Sequence, residues 1–183
     1  MNHQLRGAFR TDSGMFGVWD SNHFSNIHDY DEWEAELLED ADIQRHIIAG
    51  HFVPINVHSD GVFEFEVRIG AIESPGGLSS REHQYLAATS NAYLFRSTGE
   101  LNVSGIEFVE ATPRGNVGTL EIPSGDYTVT VHLITWGEEP GAKDAQGNPT
   151  AKALPDFVVL LSRSGSTAQV YRTEVNTFEE PAA

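Results

Sequence analysis

The sequence predicts a mainly β protein, an antiparallel β-sandwich or partly open barrel carrying one N-terminal helical segment. Three observations carry that expectation. Short runs of alternating apolar and polar residues recur from Phe52 onward. The cleanest puts Phe63, Phe65, Val67 and Ile69 on one face and Glu64, Glu66 and Arg68 on the other. The punctuation between runs is turn chemistry: Ser97-Thr98-Gly99, Pro113-Arg114-Gly115, Pro123-Ser124-Gly125 and Ser164-Gly165-Ser166. Helical periodicity is confined to Asp29–Ala49, so strands and helices do not alternate as a parallel βαβ sheet requires.

Taken in order, Met15, Phe16, Val18 and Trp19 form an opening strand framed by Gly14 and Gly17. Trp33, Leu37 and Ala41 then recur at helical spacing, and Ile43, Ile47 and Ile48 continue the stripe in a shifted phase. The shift around Glu39–Asp42 predicts two short helices, or one bent helix. Asp29 or Asp31 caps the start, with a glutamate three residues on, and Gly50 ends it. Val53, Ile55 and Val57 alternate next, and Ser59-Asp60-Gly61 is read as the turn of a hairpin into the Phe63–Ile69 strand. Pro54 cannot donate to a ladder, so its strand starts there or lies at an edge. A loop at Glu73–Gly77 and a helical turn capped by Ser79 or Ser80 follow. Further strands are expected at Tyr85–Ala88, Ala92–Arg96, Leu101–Val103, Ile106–Val109, Thr119–Ile122, Tyr127–Trp136, Phe157–Arg163 and Ala168–Arg172. Gly137–Ala153 is the longest loop, a lip or a dispensable insertion.

The 183 residues bury enough surface for one core, so a single domain over 1–183 is expected, with 173–183 a frayed acidic tail. No stretch is long and apolar enough to span a bilayer, and the N-terminus has no apolar signal region. A soluble protein of a bacterial-style cytoplasm is the expectation. Eleven Lys plus Arg stand against 27 Asp plus Glu, a net charge of −16, which argues against nucleic-acid binding. The absence of cysteine excludes disulfides, thiolate metal sites and a cysteine nucleophile.

Catalytic signatures are missing. Ser-Gly occurs only in turn contexts, no Gly-rich loop leads into a lysine, and both lysines, Lys143 and Lys152, lie in the long loop. Asp144, Gln146 and Asn148 alternate like calcium ligands, but no closing glutamate follows and Pro149 interrupts them. Glu64 and Glu66 share a face with Arg68, as an ordinary charged exterior would. His46 and His51 straddle Gly50 and so do not share a helix face. One alternative site remains, formed by His58, Asp60, His132 and Trp136 on the outer face of the sheet, if their strands are neighbours. No metal ligand set, cofactor or catalytic residue is assigned.

The acidic segment is the most informative feature. Asp29, Asp31, Glu32, Glu34, Glu36, Glu39, Asp40 and Asp42 place eight carboxylates in fourteen residues, with no Lys or Arg before Arg45. Its plainest use is a solvated face that keeps the protein soluble, and it would also steer a basic partner. Trp33 fits a core anchor and Tyr30 an interface residue.

Asp29–Asp40 running on to Phe52–Gly61, and Ile122–Trp136 with Ala153–Val159, resemble an uncharacterised group of small bacterial proteins with no established activity. In charge and size the chain is also similar to bacterial nuclease inhibitors and toxin-immunity proteins. The resemblance implies no catalytic residue. The leading expectation is therefore a non-enzymatic protein whose acidic helix face engages a basic protein. The alternatives are a small-ligand or metal-dependent enzyme using the outer-face histidines, and a structural subunit self-associating through an edge strand.

Overall fold

The computed structural model describes residues 4–70, 77–165 and 169–179. Ten strands follow in chain order: β1 (Gln4–Thr11), β2 (Met15–Trp19), β3 (Phe52–Asn56), β4 (Gly61–Gly70), β5 (Leu86–Thr89), β6 (Tyr93–Ser97), β7 (Glu100–Gly105), β8 (Gly118–Glu121), β9 (Gly125–Ile134) and β10 (Phe157–Arg163). They form two sheets. One runs β1-β4-β10-β9, with β5 and β6 sharing the far edge of β9, and the other runs β3-β2-β7-β8. Every pairing is antiparallel except β4 with β10. This is the mainly β, two-sheet architecture that the alternation and turns predict, and neither sheet closes into a barrel.

The core lies between the sheets and is built on aromatic contacts. Phe65 of β4 sits 4.8 Å, centroid to centroid, from Phe16 of β2 and stacks at 5.1 Å on Phe157 of β10. Trp19 is fully buried, and its indole N–H donates to Ser104 Oγ at 3.0 Å, so its polar atom carries no desolvation cost.

The helical segment divides where the apolar phase shifts, into α1 (Tyr30–Leu37) and α2 (Asp40–Ala49). Leu37, Ile43 and Ile47 are its buried stripe. Asp29 caps α1 by accepting from the Glu32 N–H, and Gly50 closes α2 in the left-handed conformation at φ 79°. A third short helix, α3 (Ser80–Gln84), opens on a reciprocal Ser79–Glu82 capping box.

Several local expectations are corrected. Val53–Val57 and Phe63–Ile69 do not form a hairpin, because β3 and β4 belong to different sheets. The intervening residues cross the sandwich end, with His58 at φ 56°. Pro54 does lie on an edge strand. Ile106–Phe108 is a 3₁₀ turn, where a strand was expected. A strand not anticipated, β1, precedes the opening one. Of Ala168–Arg172, residues 169–172 hold no strand, and residue 168 lies outside the described residues, as do 73–76 of the Glu73–Gly77 loop and Ser166 of the Ser164–Ser166 turn.

The chain from Thr173 to Glu179, expected to fray, is docked. Thr177 is 1% exposed, and Val175 and Phe178 pack on the core. Residues 180–183 lie outside the described residues. Nor is the face of Glu64, Glu66 and Arg68 an open exterior. Glu66 is buried, Arg68 binds Glu66 at 2.7 Å and Glu82 of α3, and Arg6 of β1 reaches Glu64 at 2.6 Å. Burial pushes the Glu82 carboxyl up, but Arg68 and the Ser79 N–H outweigh it and hold it below the usual range.

Candidate functional site

The eight acidic side chains fall into two groups. Four are occupied by the fold. Asp29 accepts from the Glu32 N–H at 2.9 Å, a donor of the first helical turn, and the Glu32 carboxylate takes the His28 N–H, just ahead of the cap, at 2.7 Å. Glu36 turns inward and accepts from His46 Nε2 at 2.7 Å, Asn26 Nδ2 at 2.9 Å and Arg45 at 3.1 Å. Asp42 lies 3.5 Å from Arg45. The other four, Asp31, Glu34, Glu39 and Asp40, are exposed and form no ion pair among the described residues.

Beside α1 lies a cleft of about 490 Å³. Ile27, Trp33 and Val109 give it an apolar floor. Tyr30, 64% exposed, stacks on Trp33 with centroids 5.9 Å apart and planes 22° from parallel. Leu38, 46% exposed, forms a lip, and Asp29, Glu107 and Glu110 stand on the rim. The Trp33 indole N–H donates to the Ile106 carbonyl at 2.9 Å, which fixes that ring. Tyr30 and Trp33 were visible in the sequence as aromatics within the acidic run. Glu107, Val109 and Glu110 come from the 3₁₀ turn after β7 and the residues that follow it, and no local pattern ties them to α1.

Sequence reasoning missed a histidine cluster at the end of α2. His46 and His51 do not share a helix face, yet the left-handed Gly50 turns the chain back and brings their Nδ1 atoms to 3.5 Å. His23 stacks flat on His51 at 4.0 Å and reaches the Arg96 carbonyl at 2.9 Å. A carboxylate can only accept, so His46 donates from Nε2 to Glu36, leaving its Nδ1 to accept from His51. Burial pulls the His46 pKa down against the pull of Glu36. Burial, with His23, His46 and Arg96 nearby, lowers that of His51 to about 4. A pair of histidines bracketing a helix-ending glycine was the only available signal.

The alternative set is spread over several surroundings. His132 lies on the outer face of its sheet, 8% exposed, with Nδ1 3.1 Å from Thr89 Oγ1 and Nε2 3.1 Å from Thr130 Oγ1. Burial, with His83 of α3 close by, lowers its pKa. His58 instead lines a cleft of about 300 Å³ at the sandwich end, together with Leu133, which points to the opposite face from His132. Asp60 lies with His58 near the β1–β2 turn. Trp136 donates to Asp156 at 2.7 Å, under Lys143. Among the described residues, no group of three or more His, Cys, Asp or Glu side chains is arranged to hold a metal ion.

The long loop is organised from within. Asp144 Oδ1 accepts the N–H groups of Gln146 and Asn148 at 2.9 and 2.8 Å, which makes the Asp144, Gln146, Asn148 alternation a turn. Arg81 of α3 grips Glu139 and ties the loop to that helix. No helix among the described residues is long and apolar enough to cross a membrane.

No protein-family model matches the chain, and a search of curated proteins finds no match. Among solved structures, the protein titled "Crocagin biosynthetic gene J" is similar with a TM-score of 0.58 and 17% identity, covering 89% of this chain and 97% of that one. ComJ from Bacillus subtilis, titled an inhibitor of the DNA-degrading activity of NucA, is similar with a TM-score of 0.48 and 11% identity, covering 87% and 96%. The likeness to the first of these is one of fold, with function left to the site itself.

Proposed function

We propose that this chain is a non-enzymatic, cytoplasmic binding protein whose acidic α1–α2 surface docks a basic protein partner, in the manner of an inhibitor or immunity protein. One observation carries the reading: Asp31, Glu34, Glu39 and Asp40 are exposed and form no ion pair among the described residues, next to an exposed aromatic–apolar edge formed by Tyr30 and Leu38. Uncompensated like charge raises the cost of folding, and a partner of opposite sign would relieve it while gaining a steered encounter. Aromatic side chains beside such a field supply the buried contact that charge alone does not.

The test uses the immobilised chain against a lysate of the source organism, with bound protein eluted by a salt gradient. Capture of a basic protein that is released between about 0.1 and 0.5 M salt, and is lost with Asp31→Lys/Glu34→Lys, is the expected result. Capture indifferent to both salt and charge reversal overturns the reading. Glu36 is unsuitable for reversal, because its carboxylate belongs to the interior.

A further inference from the structure

We propose that the cleft beside α1 receives a guanidinium group, an arginine side chain presented by the basic partner. The inference rests on the docking reading above and names the occupant of the cleft that adjoins that surface at Tyr30 and Leu38. The volume of about 490 Å³ falls within the ordinary range of ligand pockets, roughly 300–1,000 Å³. Its chemistry is mixed in a way that suits one ligand type. The stacked aromatic pair Tyr30 and Trp33 shares the cleft with three carboxylates, Asp29 at the cap of the same helix and Glu107 and Glu110 from the chain after β7, and no Lys or Arg is among the lining residues.

A lysine ammonium would meet the carboxylates but is strongly hydrated and forms no flat stack. A guanidinium is planar and weakly hydrated, lies on aromatic faces and bonds carboxylates with two N–H groups at once. The rim already shows that geometry. Glu110 holds Arg114 side-on, with Nε to Oε1 at 3.0 Å and Nη2 to Oε2 at 2.8 Å. Arg114 is itself 72% exposed, so this pair is open to exchange with an incoming arginine.

The other carboxylates are held in place. Glu107 accepts from the Asp12 N–H at 2.7 Å and the Thr11 hydroxyl at 3.0 Å. The positive end of α1 would oppose a cation, but Asp29 and Glu32 accept donors there and supply two negative charges.

The test measures binding of two fluorescent peptides, Gly-Lys-Gly-Arg-Gly-Lys-Gly and its Arg→Lys counterpart, at low salt. Net charge is equal, so general attraction to the acidic surface cancels. The arginine peptide is expected to bind roughly 2- to 30-fold more tightly and to shift the Trp33 indole N–H resonance. Tyr30→Ala is expected to erase that preference while Tyr30→Phe keeps it, and the exposure of Tyr30 leaves the fold intact in both. Equal binding of the two peptides, still abolished by Asp31→Lys/Glu34→Lys, overturns the guanidinium pocket and leaves the docking surface standing. Absence of binding by both peptides overturns the two together.

Discussion

The Glu36 carboxylate accepts a 2.7 Å hydrogen bond from His46 Nε2, and this contact fastens α1 to α2. Within the most acidic stretch of the chain, this carboxylate turns inward to tie two helices together. Burial pushes the Glu36 carboxyl up, while His46, Asn26 and Arg45 together pull it further down, so the net shift is below its usual value. Glu36→Lys places a cation against His46 and Arg45 and strands their donors. It is expected to cost about 2–3 kcal/mol in urea unfolding. Glu34→Lys, on the open face, is expected to stay within about 0.5 kcal/mol.

The histidine cluster gives stability a definite pH dependence. In the folded chain His51 titrates at about 4, and the unfolded side chain at the ordinary 6.5. Between these values the unfolded state binds the extra proton, so stability falls as pH drops from 6.5 towards 4 and is flat above 6.5. The lowered values of His46 and His132 act in the same direction. Glu36 adds a loss at still lower pH, as its carboxylate is protonated. Because His51 is only half-buried, its share is discounted to on the order of 1 kcal/mol. Urea midpoints at pH 7.5 and 5 should converge in His51→Gln relative to the wild type. An unchanged slope would remove His51 from the account.

Gly17 makes a prediction about packing. A Cβ built there would lie 2.1 Å from Cε2 of Phe52, a fully buried ring on the neighbouring strand β3. The conflict is spatial, since Gly17 is not among the glycines with positive φ. Gly17→Ala should therefore destabilise by about 1–3 kcal/mol, through displacement of an aromatic ring that has no room to move. Shortening the ring in Phe52→Leu should recover part of that loss in the double variant, which a thermal or urea double-mutant cycle reads directly.

How much of this was legible follows from the range of the interactions. The break between α1 and α2 was readable because it is local: the apolar stripe changes phase at Glu39–Asp42, and Asp29 and Gly50 are caps by chemistry alone. The strand β1 was missed: Leu5, Gly7, Phe9 and Thr11 alternate with Gln4, Arg6, Ala8 and Arg10, but a terminal run with two arginines and a glycine on the inward face carries a weak alternation signal. The false hairpin had correct strands, but the residues between them bend across the sandwich end and make no hairpin turn. What decided against it was which sheet each strand joined, and period-two patterning does not encode partner choice. The cleft was half-legible for the same reason. Tyr30 and Trp33 are neighbours on one helix, while Glu107 and Glu110 arrive through tertiary packing.

The docked C-terminal segment supplies the last prediction. Thr177 donates its hydroxyl to the Pro54 carbonyl at 2.8 Å and accepts the Asn56 N–H at 2.9 Å, while its own N–H donates to Asn56 Oδ1 at 3.0 Å. These bonds run along β3, an edge strand that would otherwise offer the Asn56 N–H and Pro54 carbonyl to another chain. Thr177→Val keeps the volume but removes the hydroxyl, leaving two buried backbone groups short of a partner. The expected cost is about 1–3 kcal/mol, concentrated in the edge. Hydrogen exchange separates this from general destabilisation. The Asn56 amide should lose protection in the variant by more than the global change, while amides of the central strand β10 change only by the global amount. Equal loss at both sites would mean that the segment supports the whole sandwich and does not act as a cover for one edge.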